Sequence, residues 1–288
     1  MGMQAVVQGI GHSIPEKKLT NLELERMVKT SDEWIIQRTG IRERRVSEPH
    51  QTTSTFAIDA SRKALAMAKM DPKDLDLVIC ATVTGDMLTP STSCLVQDAI
   101  GAHRAGAFDV GAACAGFIYA LNVATAMIEA RQVRNVLVIG ADTLTKFVDW
   151  TDRATCVLFG DAGAAVVLSG QQDTDRGVLK TVLLADGEGA KYIDIEVGGS
   201  ACPSHAPGAS QKQKYIRMDG QEVYRFAVKA FGDACCKVLD AAGLTPDDVD
   251  LFVPHQANIR IIESAMKRME LPDSKVFLNV DKYGNTSA

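Results

Sequence analysis

ASRKALAMAKMDPKDLDLVIC (residues 60–80) comes back later in the chain as ACCKVLDAAGLTPDDVDLFVP (residues 234–254). The offset is 174 residues without a gap, and eight of the 21 positions are identical. The shared punctuation decides the reading: Pro72/Pro246, Asp74/Asp248, Asp76/Asp250 and Leu77/Leu251. Each copy runs from an apolar-periodic helix through a Pro–Asp turn into a short apolar strand. A coincidental match would rarely keep the P-x-D-x-D-L frame, so an internal duplication is expected. The next elements agree. FDV (108–110) leads to Cys114 and LNV (278–280) leads to Asn285, each time out of a strand and into a turn.

Around the first copy, strand-like and helix-like stretches alternate. Residues 3–11 read as strand, 53–69 as helix, 75–83 as strand, 91–101 as helix and 106–111 as strand. A core helix at 115–130 follows, then buried strands at 135–142 and 163–170. Short apolar runs between helices predict an α/β layer structure with a largely buried sheet. The segment 171–217, rich in Gly, Ser, Pro and Lys, reads as a connection with a long surface loop. The halves are therefore placed at 1–170 and 171–288. The first half continues to residue 170 after Cys114, whereas three residues follow Asn285. The C-terminal half is thus expected to be incomplete, lacking counterparts of the helix 115–130 and the two strands after it.

Composition narrows the function. Hydrophobic residues make up 46%, enough for a large core, and the net charge of -5 argues against a general nucleic-acid binder. The N-terminus lacks the pattern of a signal peptide. The apolar helix 115–130 is shorter than the roughly 20 residues that a membrane span needs. Seven cysteines, with no C-x-x-C pair and no zinc spacing, fit a reduced cytoplasmic enzyme without a metal.

Three residues stand where chemistry could be done. Cys114, in DVGAACAGF (109–117), falls between a strand and the helix 115–130. A helix N-terminus lowers a thiol pKa, and the small neighbours would let a substrate approach. Buried thiols that merely pack are common, and spacing alone leaves both readings open. His255 ends the strand of the second repeat, ahead of a helix, at the sheet edge where open α/β folds bind ligands. Alone it could equally be a satisfied histidine. Asn285, in KYGNTSA, stands at the matching place after the next strand, where a turn or N-cap asparagine is the plainer reading.

Taken together, SDEWIIQRTGIRERR (31–45), DVGAACAGF (109–117), DRATCVLFGDAGAAVVL (152–168), VPHQANIRI (253–261) and NVDKYGNTSA (279–288) resemble the β-ketoacyl-acyl-carrier-protein synthase III family. The resemblance spans essentially the whole chain. It implies a thiolase-like fold of two βαβαβαββ halves in α-β-α-β-α layers. It also implies a decarboxylating condensation of an acyl-CoA primer with malonyl-acyl-carrier protein, which starts fatty acid synthesis. Cys114, His255 and Asn285 would be the catalytic triad, with Cys114 carrying the acyl group. Trp34 and Arg153 would hold the CoA adenine, Arg38 would meet the CoA phosphates, and Ala257 and Asn258 would line the pantetheine tunnel. Arg260, Lys267 and Arg268, on the helix 258–270, would dock the acidic carrier protein. Thr89 would close the acyl pocket of a partner subunit in a homodimer. Coenzyme A enters as a substrate thioester, and no cofactor, nucleic acid or membrane is implied. The family extends further, through a Gly-rich loop that supplies a backbone N–H opposite that of the cysteine. Two other readings remain: a different thiolase-fold condensing enzyme, such as a plant-type polyketide synthase or hydroxymethylglutaryl-CoA synthase, and a non-catalytic acyl-CoA or carrier-protein binding module.

Overall fold

The computed structural model describes residues 2–288. The chain begins with β1 (Gln4–Ser13), β2 (Lys18–Thr20), α1 (Asn21–Leu24), α2 (Asp32–Thr39), β3 (Glu43–Arg45) and α3 (Thr53–Ala68). There follow β4 (Leu77–Ala81), α4 (Thr92–Ile100), β5 (Gly106–Val110), α5 (Gly116–Glu129), β6 (Asn135–Thr143), α6 (Arg153–Cys156) and β7 (Asp161–Gln171). After it come β8 (Ile193–Asp194), β9 (Arg217–Met218), α7 (Gly220–Ala242), α8 (Ile259–Met269) and α9 (Val280–Tyr283). Every strand and helix expected between residues 3 and 170 is present, within two residues or so of its expected ends.

Five strands form one sheet in the order β1-β7-β6-β4-β5. β4 runs parallel to both β5 and β6, whereas β7 pairs antiparallel with β6 and β1. The parallel centre needs both faces covered, which is why LVICA in β4 is apolar without alternation and buried throughout. Helices α3 and α4 cover one face, where Ala57, Ala60, Ala64 and Val96 meet Val78, Leu137 and Val167. Helix α5 covers the other, where Ala120, Ala124 and Ile128 meet Leu77, Ile79 and Val138. The approach of α3 to β1 depends on two glycines. A Cβ on Gly9 or Gly11 would fall 2.3 or 2.2 Å from the Ala64 or Ala60 carbonyl oxygen.

The second repeat keeps its local form. Its helix is α7, and a 3-10 turn over Pro246–Asp248 stands 174 residues after the turn over Pro72–Asp74. The strand expected from residue 250 does not extend, and residues 278–280, expected to end a strand, instead lead into α9 at Val280. The segment after residue 250 makes one isolated parallel bridge, Phe252 to Val276, with Phe252 at the repeat position of Val78 in β4. The physical reason is neighbours: β4 is flanked on both sides, whereas the segment at Phe252 is flanked on one. Helices α7 and α8 pack on each other through Phe231, Leu239, Ala265 and Met269. A further core joins early and late parts of the chain, with Ile35, Ile41, Val157 and Phe159 against Ile216, Ile259 and Val280. The connection 171–217 carries only the two-residue strands β8 and β9 and short 3-10 turns. Among the described residues, no helix is long and apolar enough to cross a membrane.

Candidate active site

Cys114 lies in a 3-10 turn, Ala113–Ala115, between the carboxyl end of β5 and the first turn of α5. The turn is strained: Ala113 adopts φ 45, left-handed backbone that costs a non-glycine residue about 1–2 kcal/mol. Strain of this kind is retained where it aims a functional group. Cys114 is exposed, yet many protein atoms crowd around its thiol. This desolvation, with the nearby Asp142 carboxylate, pushes its thiol up to about 11, and the Ser287 hydroxyl works the other way. Desolvation and the neighbouring anion thus oppose the lowering expected from the helix N-terminus. The resting side chain is a thiol.

Asn285 arrives from far along the chain. Gly284 turns the chain at φ 68, and the Asn285 backbone then pairs with 158–160. Asn285 N donates to Leu158 O at 2.9 Å, and Gly160 N donates to Asn285 O at 3.0 Å. The buried Asn285 side chain accepts from Ser287 N through Oδ1 at 3.0 Å. That bond fixes which amide atom is oxygen and leaves Nδ2 to donate. Ser287 is itself left-handed, φ 66, and sits beside the Cys114 thiol. Thus GNTSA and DVGAACAGF meet.

His255 follows the Phe252 bridge, on the carboxyl side of its segment. Its neighbour Gln256 grips the adjoining turn, accepting from Asn279 N and Val280 N at 3.0 and 3.1 Å. Burial pushes the imidazole down to about 4, so His255 is neutral at physiological pH. Its Nε2 is buried without a partner, a polar atom that a ligand would satisfy.

The other expected positions fall into place unequally. Trp34 and Arg153 do come together, with the guanidinium 4.8 Å from the ring centroid and Nη1 donating to Lys29 O at 3.1 Å. A flat ring between them needs about 3.5 Å on each side. An adenine would therefore have to lift Arg153 away. Arg38 is exposed in the last turn of α2, and its carbonyl accepts from Asn258 Nδ2 at 3.0 Å. Asn258 also N-caps α8 through Oδ1, so its side chain spans the halves, with Ala257 half-buried beside it. Arg260 lies over the Tyr224 ring at 5.2 Å, Lys267 is exposed, and Arg268 is paired with Asp233 on α7. The basic face of α8 is therefore partly neutralised. Thr89 is exposed, in the loop between β4 and α4.

Two residues beside Cys114 were missed in the sequence. Asp142 ends the apolar run of β6 fully buried, where Oδ1 accepts from Thr82 Oγ1, Val83 N, Thr84 N and Thr84 Oγ1. An acid closing a buried strand was the signal for it, since unpaired burial of a carboxylate is rare. Ser287 carried no signal of its own, because its left-handed backbone is invisible in a sequence.

Two family models match the chain: 3-oxoacyl-[acyl-carrier-protein] synthase III over residues 108–187, and the C-terminal part of the same family over residues 239–288. The β-ketoacyl-[acyl-carrier-protein] synthase III of Caldanaerobacter subterraneus subsp. tengcongensis is 53% identical over 99% of this chain and 86% of its own length. That of Symbiobacterium thermophilum is 50% identical over 98% of this chain and 85% of its own. The crystal structure of the Aquifex aeolicus synthase III superposes with a TM-score of 0.90 at 43% identity, covering 99% of this chain and 87% of that one. With half its residues shared along nearly all its length, and the thiolase-like fold of those structures, this chain belongs to the β-ketoacyl-[acyl-carrier-protein] synthase III family.

Proposed function

We propose that Cys114, His255 and Asn285 carry out the condensation of this family, with Cys114 as the acylated nucleophile and the other two as donors to the acceptor substrate. The reaction joins an acyl-CoA primer to malonyl-acyl-carrier protein. In the first half-reaction Cys114 sulfur attacks the primer thioester carbonyl. The new carbon–sulfur bond forms as the CoA–carbon bond breaks, and the thiol proton ends on the departing CoA sulfur. In the second half-reaction malonyl thioester loses CO2. The electron pair of the broken carbon–carbon bond becomes an enolate, whose oxygen gathers negative charge. A neutral His255 and the Asn285 amide suit that oxygen, since they donate without titrating near neutral pH. Preorganised donors of this kind are worth about 3–4 kcal/mol each. The enolate carbon then attacks the acyl-cysteine carbonyl and expels Cys114 sulfur as a thiolate, which takes up a proton from solvent to restore the thiol. This is covalent catalysis that divides one difficult step into two.

The observation that carries this reading is the meeting of Cys114 with the Asn285–Ser287 segment from the other half. It also supports the division of labour proposed here: 1–170 supplies the nucleophile, and 171–288 the donors. Treatment with acetyl-CoA followed by peptide mass spectrometry tests it. The acetyl mass belongs on Cys114, and its appearance on Cys80 or Cys156 instead would refute the assignment.

Around this centre, Trp34, Arg153, Arg38, Ala257 and Asn258 form the CoA path, and Arg260 with Lys267 offers positive charge to an acidic carrier protein. The protein works in the cytoplasm as a homodimer, joined along the unpaired edge of β5, where Phe108 is exposed. Thr89 faces the partner's acyl pocket. Being small, it admits primers longer than acetyl, with each buried methylene contributing about 0.8 kcal/mol.

A further inference from the structure

Arg44 takes no part in the reaction just described, yet it is a fully buried cation. Its guanidinium bonds only to uncharged oxygens. Nη1 donates to Leu19 O at 3.0 Å and to Asn21 Oδ1 at 2.9 Å, and Nη2 donates to Val157 O at 2.8 Å. Nε is buried without a partner, and burial pushes the pKa down to about 10, so the charge persists at neutral pH. No carboxylate is hydrogen-bonded to it, Glu43 acting only through space, and burying a charge in this way is expensive. The other end of what it holds explains why the arrangement is worth keeping.

Val157 begins the segment that grips Asn285. Leu158 O and Gly160 N take the Asn285 backbone from both sides, and Phe159 bridges it in parallel. The stem of Arg44 closes the same junction: a Cβ placed on Gly160 or Gly284 would lie 3.3 Å from Arg44 Cβ. On one side, then, Arg44 fixes Val157. On the other it fills the space under Gly284, the residue that aims Asn285. We propose that Arg44 is a positioning residue, which holds the 157–160 segment and through it the Asn285 amide. This rests on the reading that Asn285 serves the malonyl half-reaction. Arg44 therefore governs that half-reaction and not the acylation of Cys114.

Arg44→Lys keeps the charge but loses the planar fork that reaches three oxygens in two directions. The two half-reactions are measured separately: acetyl transfer from acetyl-CoA to Cys114 by mass, and CO2 release from malonyl-acyl-carrier protein. Expected is acylation within about threefold of the parent, with decarboxylation slowed about tenfold or more, since misplacement by an ångström costs up to about 10²-fold. Asn21→Ala, which removes one acceptor and leaves Arg44, should show the same split more weakly; it decides the matter if Arg44→Lys does not fold. Asn285→Ala is the control. If it decarboxylates at the parent rate, the reading of Asn285 fails. If it is slow while Arg44→Lys matches the parent, the inference about Arg44 is overturned. Equal loss of both half-reactions in Arg44→Lys overturns it too.

Discussion

Leu77 and Leu251 are the same side chain at the same place in the two repeats, and their surroundings differ completely. Leu77 is 6% exposed, inside β4, between two parallel neighbours and under α5. Leu251 is 56% exposed, beside a single bridge. Their neighbours repeat the contrast. The Asp76 carboxylate accepts from Arg134 N and Asn135 N at 2.7 and 2.9 Å, tying β4 to β6, whereas Asp250 makes no such bond among the described residues. Local sequence writes the helix, the 3-10 turn and the direction of the exit. A ladder and a buried strand come only from the elements beside it.

The comparison extends to chemistry, and there the largest effects are expected. Cys114→Ala should remove acylation and condensation, by at least about 10³-fold, if Cys114 carries the acyl chain as proposed. His255→Ala should leave acylation near the parent rate and slow malonyl decarboxylation by about 10²–10³-fold. Single-turnover assays of each step read this directly. A first-half and a second-half variant with the same profile would break the division between the halves.

Packing comes next. Leu77→Ala should destabilise the protein by about 2–5 kcal/mol, the range for truncating a buried leucine. Leu251→Ala should stay within about 0.5 kcal/mol, as exposed sites do. Denaturant titration of both variants is the measurement. Equal losses would mean that the second repeat is packed as the first is, contrary to its exposure.

How far the sequence could be read follows from the same contrast. The sheet strands β1, β4, β5, β6 and β7 and the helices α3, α4 and α5 were legible because each run carries its own period and turn residues, and tertiary packing agrees with them, whereas β2, α1, α2, β3 and α6 are short and went unread. The strand after Pro246–Asp248 was misjudged because its pattern copies β4 while its neighbours do not. In the site, Cys114, His255 and Asn285 were legible only as ends of repeated elements. Their roles came from resemblance to a family. The raised thiol pKa was hidden because it depends on Asp142 and on enclosure, and both arise when distant segments meet.

A smaller effect separates Ala81 from His255, which share a repeat position. Ala81 is buried and inert, whereas His255 titrates. Its ordinary pKa is about 6.5, and burial holds the folded value at about 4. As pH falls through 6.5 the unfolded chain takes up a proton that the folded chain refuses. The stability associated with His255 is thus complete above about 6.5 and is lost progressively toward pH 4. His255→Gln should flatten that slope in denaturant titrations between pH 7 and 4.5, and an unchanged slope would place the imidazole in water instead.

The smallest expected effect is the one place where the halves should agree. Both Pro–Asp turns are capped by the residue before the proline. The Asp71 carboxylate accepts from Lys73 N at 2.9 Å, and Thr245 forms a reciprocal box with Asp248, whose carboxylate accepts from Thr245 N at 2.8 Å. These bonds lie within a few residues of each other and need no sheet. Asp71→Ala and Thr245→Ala should therefore each cost about 0.5–1 kcal/mol, the ordinary worth of an N-cap. Near-equal losses, set beside the unequal losses of Leu77→Ala and Leu251→Ala, would separate what a repeat carries in its sequence from what it receives from its neighbours. A cost at Asp71 with none at Thr245 would show that even the turn depends on the sheet behind it.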